Sequence, residues 1–326
     1  MPSGAGLHRR RSRRIPWKER LLTGNPVLGS GRHLLRVPAD HRRLIMTLLY
    51  DESHKEPRFE DYYSAFSRYL TNQGGRADVL GAAPITTEHL KGYDVLMISF
   101  PQEMFSDDEI SAIMDFVAGG GGLFLVGEEG DFNHFKKNLN ALSTRFGVTF
   151  NDDEVLDPTD RIGEYYSIIH TFEEHPITSG VEKFVIYGGC SLKVEGNAKV
   201  LATGDDDSYS TEGYYKAGDY PPVLCALEHG SGRVVCVGDG SFFRNNFINE
   251  FNNKQLALNI VNWLSGGEAE TGAEKEDVMK EIEELEQKYD ELNALYSEGK
   301  IDDDEYRRKA EEYGQRLDQL ERKLKG

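Results

Sequence analysis

The sequence has few cysteines and lacks any long apolar run. Its 326 residues include three cysteines. Because they show no Cys-x-x-Cys spacing and leave an odd number, neither a disulfide framework nor a zinc site is indicated. No apolar stretch approaches the roughly 20 residues that span a bilayer, and the basic N-terminus lacks the apolar segment of a secretory signal. We therefore expect a soluble, cytoplasmic protein without a membrane span.

Positive charge is concentrated in the first 43 residues. The formal net charge is −18, yet residues 1–43 contain eleven Lys or Arg against Glu19 and Asp40, which gives +9 there and leaves −27 on the rest. A nucleic-acid-binding arm is one interpretation, because clustered guanidinium groups displace counterions from phosphate. Since almost no apolar periodicity accompanies the charge, we favour a disordered basic leader over residues 1–43, without nucleic-acid binding.

The region from Tyr93 to Val126 has the pattern of a parallel strand–helix–strand unit. Tyr93 to Phe100 is a continuous apolar run, and Ser106 with Glu109 forms a capping box that opens a helix. Four glycines end that helix, and Leu123 to Val126 is a second apolar run. Strand, helix and strand in this order predict a parallel crossover.

The same alternation extends over residues 44–265. The further predicted elements are a strand at 44–50, a helix at 59–72, a strand at 77–80, a helix at 138–146, strands at 166–170, 184–187, 199–202, 222–228 and 233–238, and a closing helix at 253–264. Alternating strands and helices predict an α/β fold with a doubly wound, mostly parallel sheet. A small-residue linker is predicted at 266–272.

Residues 273–326 have heptad spacing. Apolar residues recur at intervals of four and three in two segments joined at Gly299, and Asp302 and Glu305 can cap the second segment. The pattern predicts a C-terminal α-helical hairpin. Because each helix is short enough to be marginal alone, we expect a homo-oligomer formed through residues 273–326; packing onto the same chain's globular domain is the alternative.

Polar residues fall where the predicted strands end, and loops at the carboxyl ends of parallel strands form the ligand crevice of such sheets. We expect these residues to line a ligand-binding crevice: Asp51, Ser53, His54, Glu103, Glu128, Glu129, Asn138, Asp239 and Ser241. Such a set could bind a divalent cation or supply a general acid and base. The alternative is that these loops are acidic only because the chain is acidic, and bind nothing.

The turn after the second apolar run carries no nucleophile. A cysteine amidotransferase or serine hydrolase of this architecture needs one there, beside backbone N–H groups that stabilise the oxyanion. Glu128 and Glu129 occupy this turn instead. Cys225 and Cys236 lie in apolar runs and are expected in the core, and Cys190 follows a Gly-Gly turn. We therefore expect no catalytic residue and no cofactor, and leave open whether the crevice binds a metal.

Several short motifs resemble one known family. They are Glu52 to Glu56, Pro101 to Phe105, Gly127 to Asp131, Asn138 to Asn140 and Asn151 to Val155. Over about residues 44–265 they resemble the N-terminal domain of the intraflagellar transport protein 52 family and its prokaryotic relatives, the gliding-motility auxiliary proteins, also called GIFT-like or DUF4350-like domains. The resemblance implies a class I glutamine amidotransferase-like, flavodoxin-like fold that has lost its catalytic cysteine.

The C-terminal segment 292–313 resembles a second family, the short SHOCT-like oligomerisation domain of bacterial and archaeal protein tails. Together the two resemblances imply a non-catalytic binding or scaffolding module, accessory to a larger assembly or transport system, whose protein partner is unknown. The alternative from the enzyme class is a metal-assisted or carboxylate-dependent hydrolase acting on a sugar-like substrate.

Overall fold

A mixed sheet of eight strands forms the centre of the α/β domain. The computed structural model describes residues 46–266, the helical positions 281, 282, 285, 288, 291, 292, 295 and 296, and residues 300–324. The strands are β1 (Thr47–Asp51), β2 (Arg76–Leu80), β3 (Val95–Ser99), β4 (Gly122–Val126), β5 (Val148–Phe150), β6 (Val155–Leu156), β7 (Arg161–Ile162), β8 (Tyr166–Ile169), β9 (Thr171–Phe172), β10 (Phe184–Tyr187), β11 (Leu192–Val194), β12 (Lys199–Thr203), β13 (Tyr209–Ser210), β14 (Pro222–His229) and β15 (Gly232–Val237). The helices are α1 (Phe59–Asn72), α2 (Thr87–Leu90), α3 (Asp107–Ala118), α4 (Phe135–Ser143), α5 (Asn253–Leu264) and α6 (Asp303–Leu324).

The strand order of the sheet is β2-β1-β3-β4-β15-β14-β12-β9. The first five strands in this order, from β2 to β15, are parallel to one another. Strand β14 pairs antiparallel with β15, β12 with β14, and β9 with β12. The α/β class is confirmed, and the sheet is mixed: five neighbouring strands are parallel, and three strands paired antiparallel extend it. Only Gly230 and Ser231 connect β14 to β15, and a two-residue connection can only reverse the chain.

Each face of the sheet has its own apolar core. Successive side chains of a strand point to opposite faces, so Leu48 and Tyr50 of β1 pack with α1 and α5, while Leu49 packs with α3 and α4. Gly127, directly after β4, is required by close packing, because a Cβ there would lie 2.6 Å from the Phe150 ring. The chain after β4 is therefore held tightly against β5.

Several predicted elements agree with the structure. Helices α1 and α5 and strand β10 have the predicted bounds, and the capping box of α3 is formed, with Glu109 Oε2 accepting the Ser106 N–H at 2.8 Å. The helix predicted at 138–146 is present but begins three residues earlier: α4 spans Phe135–Ser143, and a 3₁₀ turn at Thr144–Phe146 follows it. The Asp131 carboxylate accepts the Lys136 N–H at 2.8 Å and so stabilises the earlier start.

At the C-terminus, contacts join α6 to the described positions of the predicted first hairpin helix. The rings of Tyr296 and Tyr306 stack with centroids 4.4 Å apart, and Arg316 forms an ion pair with Glu281 at 2.7 Å. The hairpin itself stays a prediction, because much of its first helix lies outside the described residues. The predicted leader 1–43 and nearly all of the linker 266–272 also lie outside them. In the described parts of the chain, no helix has both the length and the apolar character needed to cross a bilayer.

Candidate functional site

The polar residues predicted at the strand ends do not form one crevice. They separate into an open pocket around Glu128 and a closed cluster around Asp51, and two of them join neither. Glu103 forms an ion pair with Lys55 at 2.6 Å, where both side chains are exposed. The Asn138 amide donates to the Pro101 carbonyl at 2.8 Å and so holds the loop after β3.

The open site, here called the Glu128 pocket, has a volume of about 330 Å³. Its lining residues follow the carboxyl ends of several strands, chiefly β3, β4 and β15. They are Phe100, Gln102, Glu128, Glu129, Phe132, Phe135, Tyr187, Ser241 and Arg244. Three of these, Glu128, Glu129 and Ser241, were predicted from the sequence. The position of the pocket agrees with the general rule that ligand crevices of α/β sheets lie at this edge.

An ion pair lies at the floor of the pocket. Glu128 Oε2 accepts from Arg244 Nη2 at 2.9 Å and from the Ser241 hydroxyl at 3.3 Å. Glu128 is only 8% exposed, and its other carboxyl oxygen is buried without a hydrogen-bond partner among the described residues. Burial and the neighbouring Asp239 charge raise the pKa of Glu128 well above its usual range.

Asp239 lies behind Glu128 and is fully buried. Its two oxygens accept backbone N–H groups, from Tyr187 at 2.9 Å and Ser241 at 2.7 Å. Burial raises the pKa of Asp239, although these backbone donors oppose the shift. One proton shared by Glu128 and Asp239 would, with Arg244 as the cation, make the buried group electrically neutral.

Aromatic rings form the walls of the pocket. Phe100, directly after β3, has φ of 60°, a left-handed conformation that is uncommon for a bulky residue. Its ring lies 5.1 Å from Phe135 and 5.6 Å from the Arg244 guanidinium. Tyr62 lies 5.4 Å from the same guanidinium, and Phe132 at the rim is 77% exposed. The walls thus combine ring faces with one fixed charge pair.

Sequence reasoning missed the aromatic lining and Arg244. The available signals were modest: Phe100 ends the apolar run of β3, and Arg244 stands three residues after Ser241. Neither signal indicates that the two side chains meet, because that contact depends on the adjacent placement of β3, β4 and β15 in the sheet.

Neither a cysteine nor a histidine is among the residues that line the pocket. Cys190 is fully buried, and burial raises the pKa of its thiol to about 12. Cys225 and Cys236 are paired neighbours in β14 and β15 and are also fully buried. A thiolate nucleophile is therefore disfavoured at all three positions.

The closed site, here called the Asp51 cluster, consists of Asp51, Ser53, His54, Glu56 and Glu109. Asp51 accepts from the Ser53 N–H at 2.9 Å and from His54 Nδ1 at 2.7 Å. His54 Nε2 lies 3.1 Å from Glu109 Oε1, and the His54 N–H donates to Glu56 Oε2 at 2.9 Å. Apart from Ser53, all of these residues are buried.

The charges of the Asp51 cluster depend on one another. Burial, followed by the negative charge of Asp51, raises the pKa of Glu56 to about 10. Burial opposes the charged form of His54, but its hydrogen bond to Asp51 and the nearby carboxylates outweigh this and raise the pKa of the imidazole. Glu56 Oε1 is buried without a hydrogen-bond partner among the described residues, as Glu128 Oε1 is in the pocket.

Fold and site together define an α/β domain with a polar pocket at the carboxyl edge of its parallel strands. The chain belongs to the DUF4350 family, a domain of unknown function, whose model matches residues 63–261. The family-level resemblance stated from the motifs is thus confirmed. The amidotransferase superfamily and the SHOCT-like tail stay predictions.

Individual relatives agree with this placement. The chain is 26% identical over 223 residues to an uncharacterised protein from Aquifex aeolicus (strain VF5), a match covering 65% of this chain and 91% of that protein. It is 22% identical over 206 residues to the intraflagellar transport protein 52 homolog from Homo sapiens, covering 56% of this chain but only 46% of the relative. The structure of the mmIFT52 N-terminal domain superposes with a TM-score of 0.58 at 18% identity, covering 67% of this chain and 97% of that domain, which shows a shared fold.

Proposed function

We propose that this protein is a non-catalytic binding module, accessory to a larger assembly or transport system in the cytoplasm, and that the Glu128 pocket receives part of a protein partner. The observation that carries this proposal is the lining of the pocket: aromatic walls and a buried ion pair, without a cysteine or histidine. The name of the human relative links that protein to intraflagellar transport, and we extend an assembly role to this chain on that basis.

A lysine or arginine side chain of the partner fits the pocket best. Glu128, Glu129 and the buried Asp239 face one cation, Arg244, so the pocket has an excess of acidic groups. Aromatic faces attract ammonium and guanidinium groups, more strongly when water is removed. A bound cation would take the place of the proton shared by Glu128 and Asp239, so binding should release a proton and tighten as the pH rises.

The rim of the pocket supports contact with a protein surface. Phe132 lines the pocket and is 77% exposed. Large exposed apolar side chains at the edge of a polar pocket are typical of interaction sites, where aromatic residues and Met are enriched. A peptide segment that combines a basic side chain with an apolar neighbour would contact both the acidic floor and the apolar rim of the pocket.

A photo-crosslinking amino acid at position 132 tests this proposal in cells of the native organism. We expect a crosslink to a discrete protein, at a segment that contains Lys or Arg, and we expect the additional change Glu128→Gln to reduce the yield at least severalfold. The matched control carries the same crosslinker at Tyr214, another exposed aromatic, and should not capture that protein. A crosslink unaffected by Glu128→Gln, or one confined to acidic segments, would contradict the proposal.

One observation favours the alternative of a carboxylate-dependent hydrolase acting on a sugar-like substrate. A general acid needs a raised pKa, and Glu128 has one. However, Asp239, the carboxylate beside it, is fully buried and occupied by backbone donors, which disfavours it as a second catalytic group. Turnover of nitrophenyl glycosides by the full chain, lost in Glu128→Gln, would establish the hydrolase and refute the binding module.

We also propose that residues 273–326 form a helical hairpin that mediates self-association. Leu317 and Leu320 of α6 are 2% and 1% exposed within the single chain, so lysine at both positions would disrupt the packing of the hairpin itself, on which the proposed self-association depends. Sedimentation of the full chain should then show a smaller species than wild type. Glu311→Lys on the exposed face is the control, and an unchanged mass in the double variant would refute self-association.

A further inference from the structure

We propose that Asp51, His54 and Glu56 form a buried site for one divalent transition-metal ion, separate from the Glu128 pocket. The three residues stand at the end of β1 and in the turn that follows it. One ligand atom from each lies within 4.8 Å of the others. Ions such as Zn²⁺ lie about 2.0–2.2 Å from nitrogen and oxygen ligands, so the three side chains are close enough to reach one ion after small movements.

One oxygen of Glu56 has no hydrogen-bond partner in the described part of the chain, which indicates that a proton or a cation is needed between the carboxyl groups of Glu56 and Asp51. Glu56 is 6% exposed, and its Oε1 has no hydrogen-bond partner among the described residues. Its carboxyl lies beside that of Asp51, which is fully buried. Two carboxylates so close in a dry interior require a proton or a cation between them.

The surroundings of His54 favour a metal over a proton alone. A metal-binding histidine usually donates its second ring N–H to a carboxylate that fixes the ring. His54 offers Nδ1 to the Asp51 side, while Nε2 lies 3.1 Å from Glu109 Oε1. Glu109 is itself held, because the Ile85 N–H donates to the same oxygen at 2.8 Å. The ring orientation that a metal would need is therefore already fixed.

The chemistry of the donor set indicates which kind of ion fits the site. One imidazole with two carboxylates suits Zn²⁺, Fe²⁺ or Mn²⁺ better than Ca²⁺ or Mg²⁺.

The test measures metal in the purified full chain. We expect about one equivalent of a transition metal by elemental analysis. Adding Zn²⁺ or Mn²⁺ to chelator-treated protein should raise Tm by several degrees, because a ligand that binds only the folded state stabilises it. Glu56→Gln and His54→Gln should each lower bound metal at least tenfold. Glu128→Gln should retain it, so that failure of the pocket proposal and of the metal proposal can be told apart.

A second acidic group provides the matched control. Asp160 and Asp205 lie 3.3 and 3.4 Å from His170, whose side chain is 41% exposed. Metal that is lost in His170→Gln but kept in Glu56→Gln would overturn the proposal, as would wild-type protein without stoichiometric metal and without a Tm response. If the His54 variant fails to fold, X-ray absorption of the Zn²⁺-loaded wild type still decides: one imidazole with oxygen ligands supports the site, and sulfur or several imidazoles exclude it.

Discussion

The Asp51 cluster and the Glu128 pocket are built on the same local pattern but differ in access. In each, an aspartate at the carboxyl end of a sheet strand accepts the N–H of a serine two residues later, at 2.9 Å from Ser53 and 2.7 Å from Ser241. A glutamate with one unpartnered oxygen accompanies each aspartate. The buried His54 side chain covers the first group. In the second group, Arg244 and Glu128 line a pocket and stay accessible from it. The residue that covers the acidic pair, and not the pair itself, therefore decides whether such a group can contact a partner.

The largest expected effect is on the closed group. Asp51→Ala removes the acceptor of the Ser53 N–H and leaves the buried His54 without its close carboxylate. Breaking a buried pair from one side typically costs about 3–5 kcal/mol in the free energy of unfolding, which urea denaturation would measure. Glu103→Ala, which removes an exposed ion pair, should cost less than about 1 kcal/mol. Equal losses in the two variants would show that the Asp51 cluster does not stabilise the fold.

A smaller loss is expected at the open group. Arg244→Met leaves Glu128 without its cation, at a cost of about 1–3 kcal/mol. The cost should shrink when Glu128→Gln is present, because no carboxylate then remains unpaired. A double-mutant cycle from urea denaturation measures this coupling. Additive effects would mean that the ion pair seen at 2.9 Å contributes nothing measurable to stability.

The pH dependence of stability tests the effect of burial on Glu128. A carboxyl whose pKa is raised in the folded state contributes stability that is fully present below its unfolded value of 4.5 and is lost as the pH rises towards the folded value. The free energy of unfolding of wild type should therefore fall relative to that of Glu128→Gln as the pH rises above 4.5. A Glu128→Gln curve parallel to that of wild type would contradict the assigned burial effect.

The smallest effect on stability is expected at Glu129. This exposed residue lines the pocket, so Glu129→Gln should change the free energy of unfolding by less than about 0.5 kcal/mol. The same change should lower the yield of the position-132 crosslink, because it removes charge facing a basic partner. A variant that keeps full crosslinking would limit recognition to the buried pair and the rings.

Local patterns in the sequence predicted much of the fold. The helix from Phe59 to Asn72, the capping box of α3 and the closing helix α5 all follow from short-range spacing. The three antiparallel strands of the sheet were not predicted as such, although Gly230 and Ser231 leave room only for a reversal of the chain. The reason is that apolar runs look alike in parallel and antiparallel buried strands.

The candidate site was less accessible to sequence reasoning. Strand ends placed Glu128 and Ser241 at one edge of the sheet, but whether a side chain there points outwards or inwards depends on the turn that carries it. Asp51 turns inwards because Ser53 and His54 both donate to it. Arg244 and Phe132 line the same pocket but come from segments more than a hundred residues apart. No local sequence pattern predicts that they lie near each other.

The two margins of the eight-stranded sheet have a consequence for assembly. At one edge of the sheet, strand β9 has only two residues. At the other edge, β2 carries Arg76 and Asp78, whose side chains form an ion pair at 2.8 Å. Short or charged outer strands discourage another polypeptide from adding its backbone to a sheet. Copies or partners of this protein should therefore be recognised by side-chain shape and charge, and fibrous stacking through these margins should be rare even at high concentration.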